Sequence, residues 1–302
     1  MLNLWRWIRR GPTQRRWRRP AFISLIMLIG TCVLGSLLIT SLPKRGVRLQ
    51  ELDSRRPVAY TKLGKCQNTP NGDIDCPDIR QLGSTPLRKA QLVLTRILRI
   101  FDLIAKKHGI KYWLTRGSLL GAIRHGGHNP FDDDIDICIP KADFEKFVKY
   151  GLKELPDDIF FQTEDTDVFY KIPPQSGMLG KLRDTKSCYK YCLRNGCKFA
   201  DGLQLDMLVL ETDSDGNFLN LFSHSSWFVR RFIYGPLRRK RTDIFPLVVV
   251  NFDGFALPAP REWRKLLTSS YGDFMRIPYE KPLAHKITDA LRSCEEIEKL
   301  RL

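Results

Sequence analysis

The sequence lacks three features that would assign it to a broad class at once. Its 302 residues contain no Asn-x-Ser/Thr acceptor, no internal repeat and no low-complexity segment. The first absence argues against N-glycosylation, and the other two argue against repeat folds and biased, unfolded tracts. Hydrophobic residues make up 43% of the chain, which is enough for a folded core. A chain of this length is expected to form one or two domains.

Charged residues are missing from one long apolar run, residues 21–42, which is bracketed by two prolines. A helix needs about 20 apolar residues to cross the hydrocarbon layer, so the run predicts a transmembrane signal-anchor helix. A cleaved signal peptide and a buried core helix are the alternatives. Residues 40–42, Thr-Ser-Leu, are a poor match to the small-residue exit that such a peptide requires.

Acidic residues are missing from residues 1–20, which precede the apolar run and carry seven arginines. The positive-inside rule keeps this basic tail in the cytoplasm and places the rest of the chain in the lumen. We therefore expect a single-pass type II membrane protein with a lumenal catalytic domain. Many resident Golgi transferases share this arrangement, so by analogy we expect the Golgi membrane, with the endoplasmic reticulum as the alternative.

Acidic residues are also outnumbered in the whole chain, 33 to 50 Lys and Arg, for a formal net charge of +17. Anionic lipid head groups account for the charges in the tail. The remaining excess favours anionic substrates such as nucleotide diphosphates. A lumenal domain on a membrane anchor is not expected to bind nucleic acid.

Cysteine usage indicates an oxidising compartment. Cys66 and Cys76 flank a turn-rich stretch, and a local disulfide between them is expected. Cys188, Cys192 and Cys197 form a tight cluster with two interpretations. A disulfide framework is favoured over zinc, because no clean four-ligand spacing is present.

The lumenal part divides near residue 86. Residues 43–85 are rich in turn-forming residues and are interpreted as a stem. Thr85 and Pro86 then match the N-cap and first position of a helix whose apolar residues recur at helical spacing, and Gly109 closes it. Beyond this helix, strand-like and helical segments alternate. Residues 86–302 are therefore expected to form an α/β (α+β) catalytic domain with a mixed sheet.

Three aspartates carry the chemistry. In the segment 134–139 isoleucines alternate with polar positions, which places Asp134 and Asp136 together on the face opposite the core. Carboxylates held this close repel each other, and a hard divalent cation such as Mg²⁺ or Mn²⁺ relieves the repulsion. Asp206 lies inside an apolar strand, where it is costly to bury unless it binds metal or a cation. The alternatives are an exposed strand edge for the pair and an arginine salt bridge for Asp206.

Upstream of the aspartates, Gly117 and Ser118 lie at a strand-to-helix turn, where backbone N–H groups and the helix dipole favour phosphate. Arg124 near the end of the same short helix can neutralise phosphate charge. A Gly-Ser turn, an Asp-x-Asp strand and a third aspartate on another strand indicate a nucleotidyltransferase-like site, with metal bound between carboxylates and phosphates.

These motifs closely resemble the signature of the LicD family, which includes bacterial phosphocholine transferases and the animal proteins fukutin and fukutin-related protein. The segments that carry the resemblance lie in the expected order: WLTRGSLLGAIRHGGHNPFDDDIDI at 113–137, KLRDTKS at 181–187, DGLQLDMLVL at 201–210 and YGDFMRIP at 271–278, with His285 beyond. The resemblance covers about residues 86–290. Phe131 replaces the tryptophan often found before the acidic run, and the cysteine cluster is not part of the shared pattern.

The resemblance implies a nucleotidyltransferase-like mixed sheet flanked by helices. It also implies transfer of a phospho-alcohol, such as phosphocholine or ribitol phosphate, from a CDP-linked donor to a glycan hydroxyl on a glycoprotein or glycolipid. By motif, the roles fall on these residues: Asp134, Asp136 and Asp206 as metal ligands, Asp132 as an additional ligand, Gly117, Ser118, Arg124, Lys181 and Arg183 on the donor phosphates, and Tyr271 and His285 on the acceptor side.

Two other functions are compatible with parts of this pattern. A Golgi glycosyltransferase also uses an Asp-x-Asp pair to hold manganese and a nucleotide-sugar, but it needs neither the Gly-Ser turn nor Asp206. A non-catalytic lumenal scaffold is the second alternative, and the complete set of expected acids disfavours it.

Overall fold

The computed structural model describes residues 46–47, 57–130, 132–170, 177–189, 201–220, 238–278 and 287–300. The expected tail and anchor, residues 1–42, lie outside these ranges and stay predictions. Within the described ranges, none of the helices has both the length and the apolarity to span a membrane.

Seven α-helices occur in the described residues: α1 Tyr60–Leu63, α2 Pro86–His108, α3 Arg116–His125, α4 Lys141–Lys146, α5 Arg241–Ile244, α6 Trp263–Tyr271 and α7 Cys294–Lys299. Single turns of other helix types follow at three places: 3₁₀ turns at Arg80–Leu82 and Leu152–Glu154, and a π-helical turn at Phe147–Gly151.

The strands are short except in the main sheet. They are β1 Gly46–Val47, β2 Gln67–Asn68, β3 Ile74–Asp75, β4 Trp113–Leu114, β5 Ile135–Pro140, β6 Ile159–Gln162, β7 Met178–Asp184, β8 Cys188–Tyr189, β9 Gln204–Thr212, β10 Phe218–Asn220, β11 Arg238–Arg239, β12 Val248–Phe252, β13 Phe255–Ala259, β14 Ile277–Pro278 and β15 Ile287–Asp289.

Helix α2 forms as its end signals predict. The Thr85 side chain accepts a hydrogen bond from the backbone N–H of Arg88 at 3.0 Å, and Pro86 occupies the first helical position. Gly109 ends the helix in the left-handed conformation, at φ 60°, which glycine adopts without steric cost. Its buried side chains include nearly every apolar residue from Leu92 to Ala105, so α2 is the central helix of the core.

The main sheet has seven strands and is mixed, as expected. Strand β9 is at its centre and pairs with β5 in parallel along one edge. Along its other edge β9 pairs antiparallel with β7 and, at its end, with β10. The antiparallel neighbours β6, β11 and β4 complete the sheet. Strands β5 and β9, which pair in parallel, carry Asp136 and Asp206.

The two faces of the sheet differ, as the alternation in β5 predicts. Ile135, Ile137 and Ile139 are fully buried in the main core with α2. The opposite face of β5 presents Asp136 and then Cys138, which packs in a small separate apolar cluster with Trp113. The predicted period of two is confirmed. On this second face, the start of β5 is therefore polar.

Residues 57–85, expected as a stem, pack against the catalytic domain in the structure. Tyr60 is fully buried in the main core, and the Cys66–Cys76 disulfide lies buried beside it. Arg80 forms ion pairs with Asp184 of β7. Turn-rich sequence without periodicity concealed this packing, because the contacts are made by single side chains rather than by a repeating face.

A buried polar network fixes the same segment to the loop that follows α3. Asp253, at the tip of the β12–β13 hairpin, accepts hydrogen bonds from the Arg88 guanidinium at 3.0 Å and the Tyr60 backbone N–H at 3.1 Å. Its second oxygen accepts from Thr95 Oγ1 at 2.9 Å, and His128 Nε2 lies 3.0 Å from the same hydroxyl. Because His128 lies in the loop between α3 and the acidic run, this network fixes the position of that loop.

Candidate active site

A buried polar row crosses four strands on the face of the sheet opposite the main core. In the strand register Asp136 of β5 lies opposite Asp206 of β9, which lies opposite Lys181 of β7, which lies opposite Gln162 of β6. Residues paired in this way point to the same face, with Cβ atoms about 5 Å apart. The structure therefore brings Asp136 and Asp206 side by side, as the sequence analysis expects.

A second row runs parallel to the first. Phe160 lies opposite Arg183, and Arg183 lies opposite Gln204. The Arg183 guanidinium carbon is 5.0 Å from the centre of the Phe160 ring. Extending the β5–β9 register by one residue places Asp134 opposite Gln204, so Asp134 lies beside the Asp136–Asp206 pair on the same face.

Lys181 is the direct ion partner of Asp206. The distance from its Nζ to Asp206 Oδ1 is 3.0 Å, and both side chains are more than nine-tenths buried. No described residue gives Asp206 Oδ1 an aligned hydrogen bond, so the contact is an ion pair. The cation beside Asp206 is thus a lysine of the adjacent strand, and the pair stays in the polar row next to Asp136.

The positive charges near the carboxylates only partly offset the effects of burial and of mutual repulsion. Burial raises the pKa of Asp136 well above its usual range, repulsion from Asp134 and Asp206 adds to the rise, and Arg116 and Lys181 only partly oppose it. Burial likewise raises the pKa of Asp206, although Lys181 opposes the rise. Burial, followed by repulsion from Asp134, raises the pKa of Asp132 to about 8.

This donor set fits a divalent metal. Among the described residues, no three histidine, cysteine, aspartate or glutamate side chains are grouped as a ready metal site. Mg²⁺, however, characteristically binds proteins through one or two carboxylates together with substrate phosphates. Asp136 and Asp206 supply that number, and a cation between them would offset the cost of burying their negative charges.

The predicted phosphate residues at the α3 turn contact the carboxylates themselves. Ser118 is buried, and its Oγ accepts a hydrogen bond from the Asp136 backbone N–H at 2.8 Å. A Cβ at Gly117 would collide with the Asp132 carboxylate, so Gly117 makes room for that side chain. In this structure both residues position acids, and their contact with donor phosphate stays a prediction.

The predicted phosphate cations lie in three different settings. Lys181 is at the acids, and Arg183 is in the second row, 3.8 Å from Asp167. Arg124 is buried, with its Nη1 donating to the Phe274 carbonyl at 3.0 Å and its Nε donating to His125 at 2.9 Å. Arg124 therefore fixes the segment after α6, and its contact with phosphate stays a prediction.

Of the two predicted acceptor-side residues, Tyr271 lies within the described ranges and His285 does not. Tyr271, the last residue of α6, is 44% exposed. Partial burial raises its pKa, and the charges of Asp136 and Asp132 add to the rise. His285 lies outside the described residues.

Two residues near the acids were not singled out by the sequence analysis. Arg116, the first residue of α3, places its Nη1 3.5 Å from Asp136 Oδ1. It lies inside the WLTRGS motif, so a basic residue beside the Gly-Ser turn was an available signal. The Tyr189 hydroxyl donates to Asp133 Oδ1 at 3.5 Å. No local signal marks Tyr189, because a distant disulfide holds its strand in place.

That disulfide joins Cys188 to Cys294 across 106 residues of sequence. Cys188 is therefore not free to bind zinc with Cys192 and Cys197. Its disulfide partner, Cys294, lies outside the cysteine cluster. Cys192 and Cys197 lie outside the described residues. The expected partners Cys66 and Cys76 are bonded to each other.

With this geometry established, the chain can be compared with known proteins. A family model described as "LicD/FKTN/FKRP, nucleotidyltransferase domain" matches residues 109–262, half of the chain. The chain belongs to the LicD family. The matched range contains the α3 turn, the acidic run, Lys181 and Asp206, so the candidate site of this LicD-family chain falls within the shared domain.

Individual relatives match shorter segments. The lipopolysaccharide cholinephosphotransferase LicD of Haemophilus influenzae is 33% identical over 101 residues, which is 33% of this chain and 37% of that protein. An uncharacterized protein of Rickettsia prowazekii is 46% identical over 55 residues, 18% of this chain and 21% of its own length. The match thus spans little more than a third of the Haemophilus protein.

One solved structure has a distant likeness to the fold. The lincomycin-bound crystal structure of the lincosamide antibiotic adenylyltransferase LnuA aligns with a TM-score of 0.30 and 16% sequence identity. The alignment covers 59% of this chain and 85% of that chain. A likeness at this level supports no functional comparison.

Proposed function

We propose that this chain is a metal-dependent transferase that moves a phospho-alcohol from a CDP-linked donor to a glycan hydroxyl on a glycoprotein or glycolipid. The observation that carries the proposal is the placement of Asp136 and Asp206 opposite each other on the second face of the sheet, with Lys181 beside them. Membership of the LicD family and the partial identity to a cholinephosphotransferase favour phosphocholine over ribitol phosphate as the transferred group.

In this proposal Asp136 and Asp206 hold Mg²⁺ or Mn²⁺, with Asp134 and Asp132 as further oxygen donors. The bound ion supplies charge neutralisation at the donor's diphosphate. Lys181 holds Asp206 in place through its ion pair and keeps a fixed positive charge beside the phosphates. Arg183 contributes a second cation from the next row.

The acceptor approaches from the side of Tyr271. The hydroxyl oxygen of the glycan acceptor forms the new bond to phosphorus, and the bond from phosphorus to the CMP oxygen breaks. The proton of the acceptor passes to a carboxylate of the acidic run. Positioning and electrostatics then supply most of the acceleration, because the protein forms no covalent bond to the substrate.

The expected setting is the Golgi membrane, with residues 21–42 as the anchor and the catalytic domain in the lumen. The two buried disulfides of the described residues support an oxidising compartment. Protease protection of intact microsomes tests this arrangement. Digestion of the catalytic domain from the cytoplasmic side would contradict it.

The activity is tested with the full-length chain in detergent, a panel of CDP-alcohols and nucleotide-sugars, and a glycan acceptor. Phospho-alcohol transfer releases CMP, whereas a glycosyltransferase using a UDP- or GDP-sugar releases the nucleoside diphosphate. We expect Mg²⁺- or Mn²⁺-dependent release of CMP. Release of a nucleoside diphosphate from a nucleotide-sugar would instead support the glycosyltransferase alternative.

Asp206→Asn is the diagnostic variant, because it keeps the shape of the side chain and removes its charge. We expect its turnover to fall at least about a hundredfold, since a catalytic metal contributes several kcal/mol. Asp215→Asn is the matched control, because Asp215 is exposed and pairs with Arg238 on the surface. Full activity of Asp206→Asn would refute the proposed carboxylate site, and a wild type that neither turns over nor binds Mn²⁺ would favour a scaffold.

A further inference from the structure

Arg116 has an unusual backbone conformation for its position. Its φ is 47°, and within the described residues Arg116 and Asp253 are the non-glycine residues with positive φ. Asp253 and Gly254, with φ values of 54° and 94°, form the two-residue loop of the β12–β13 hairpin, where a positive φ at both positions is the usual conformation. Arg116 lies in no such hairpin loop, and its guanidinium is 3.5 Å from Asp136 Oδ1. Strain of this kind persists where the surroundings over-determine it, and such residues cluster at functional sites.

Among the described residues, the Arg116 guanidinium is a solvent-accessible cation beside the acids. Its side chain is 49% exposed, whereas that of Lys181 is 3% exposed. Its charge acts on Asp136, Asp206 and Tyr271, lowering the pKa of each against the effect of burial. Arg116 therefore contacts Asp136 with a guanidinium that is accessible to solvent.

A divalent cation bound to Asp136 competes with this ion pair. A metal ion and a guanidinium repel each other, and the carboxylate interacts more strongly with the doubly charged ion. The separation of 3.5 Å and the half-exposed side chain make the existing pair a weak one. Arg116 can thus leave Asp136 at little cost, while the start of α3 keeps the guanidinium within reach of a phosphate held by the acids.

We propose that Arg116 is a catalytic residue that occupies Asp136 in the metal-free protein and contacts the transferred phosphoryl group once metal and donor are bound. This role rests on the proposed function. The planar guanidinium can donate two hydrogen bonds to non-bridging phosphate oxygens and neutralise the charge that develops there. No bond to Arg116 forms or breaks during transfer, and its protons stay on the guanidinium.

The test measures two quantities that this role moves in opposite directions. Arg116→Gly removes the guanidinium and suits the positive φ, so we expect its melting temperature to equal or exceed that of the wild type. Binding of Mn²⁺ alone, followed by electron paramagnetic resonance, should tighten roughly two- to fivefold, the effect of a half-exposed ion pair. Turnover should fall about a hundredfold or more, the effect of losing one transition-state hydrogen-bond donor group.

Two further variants sharpen the comparison. Arg116→Lys keeps the charge and loses the planar fork, so its Mn²⁺ affinity should stay near that of the wild type while its turnover falls. Arg261→Ala is the matched control, because the Arg261 side chain is 48% exposed and pairs with Glu262 outside the site. It should change neither Mn²⁺ affinity nor turnover.

Arg116→Gly with weaker Mn²⁺ binding would show that the residue only supports the fold of the site, and unchanged turnover would remove it from the reaction. Either result overturns the role of Arg116 while wild-type activity stands. A wild type that binds no Mn²⁺ and releases no CMP overturns the proposed function, and the role of Arg116 with it.

Discussion

The Oγ of Ser118 accepts a hydrogen bond from the backbone N–H of Asp136 at 2.8 Å. The contact joins the second turn-forming residue of the α3 start to the strand residue that carries the proposed metal ligand. It is buried, so water cannot replace it. The position of the Asp136 carboxylate therefore depends on a side chain that the sequence analysis assigned to phosphate.

Ser118→Ala should lower both stability and metal affinity. The variant leaves the buried Asp136 N–H without an acceptor, which costs about 1–3 kcal/mol. Thermal unfolding measures the first effect and Mn²⁺ titration the second. Ser293→Ala is the control, because the Ser293 side chain caps α7 by accepting a hydrogen bond from the Glu296 backbone N–H and not from Asp136. It should lower stability and leave Mn²⁺ affinity unchanged, and an equal loss of affinity in both variants would contradict the positioning role.

Gly117→Ala should displace the Asp132 carboxylate. The added Cβ collides with Asp132 Oδ2, although the backbone of Gly117 suits alanine, because its φ is not positive. We expect weaker Mn²⁺ binding and reduced turnover with a change in stability of about 1–3 kcal/mol, as in overpacked cores. Gly127→Ala is the control, since a Cβ there meets its nearest atom at 3.4 Å. Wild-type Mn²⁺ affinity in Gly117→Ala would place Asp132 outside the metal site.

Removing the metal should make stability depend on pH through Asp132. Burial raises its pKa from 3.8 to about 8. Because the folded state holds this proton more tightly than the unfolded state, the contribution of Asp132 to stability is complete below about pH 4 and is lost as pH rises toward 8. Thermal unfolding in EDTA should show the decline, and saturating Mg²⁺ should reverse it. Asp132→Asn should flatten the profile in EDTA, and an unchanged slope in that variant would refute the assignment.

His128 should give the opposite pH dependence. Burial lowers its pKa to about 4, although Asp253 opposes the shift. The folded state disfavours the protonated ring, so this contribution is complete above about pH 6.5 and is lost as pH falls toward 4. The loss approaches about 3 kcal/mol at the acid limit, at 1.36 kcal/mol per pKa unit. His128→Gln should lose this acid sensitivity in urea unfolding at pH 4 to 7, whereas His108→Gln should retain it.

Much of the local structure could be predicted because its signals are local. The caps of α2 at Thr85 and Gly109 and the alternation of Ile135, Ile137 and Ile139 each follow from residues within one element. The meeting of Asp136 and Asp206 was expected from an apolar strand that contains an acid and from the family resemblance. The parallel register of β5 and β9 then places the two exactly opposite each other.

The remaining features depend on contacts between distant segments. Tyr60 packs into the core through Asp253, which lies 193 residues further along the chain. The Ser118–Asp136 bond and the backbone of Arg116 depend on how the α3 turn meets β5, which no single motif specifies. Tyr189 reaches Asp133 because Cys188 pairs with Cys294, and sequence spacing alone cannot assign that pairing.

The Cys188–Cys294 bond also has a consequence for biosynthesis. Cys188 leaves the ribosome 106 residues before its partner, and two other cysteines, 192 and 197, follow within ten residues. A shorter loop closes at lower entropic cost, so pairing with these neighbours is kinetically favoured first. Reaching the native bond then requires thiol–disulfide exchange after α7, which carries Cys294, has been synthesised. The disulfide that holds Tyr189 against Asp133 thus forms late, and the yield of correctly paired protein depends on the oxidoreductases of the compartment.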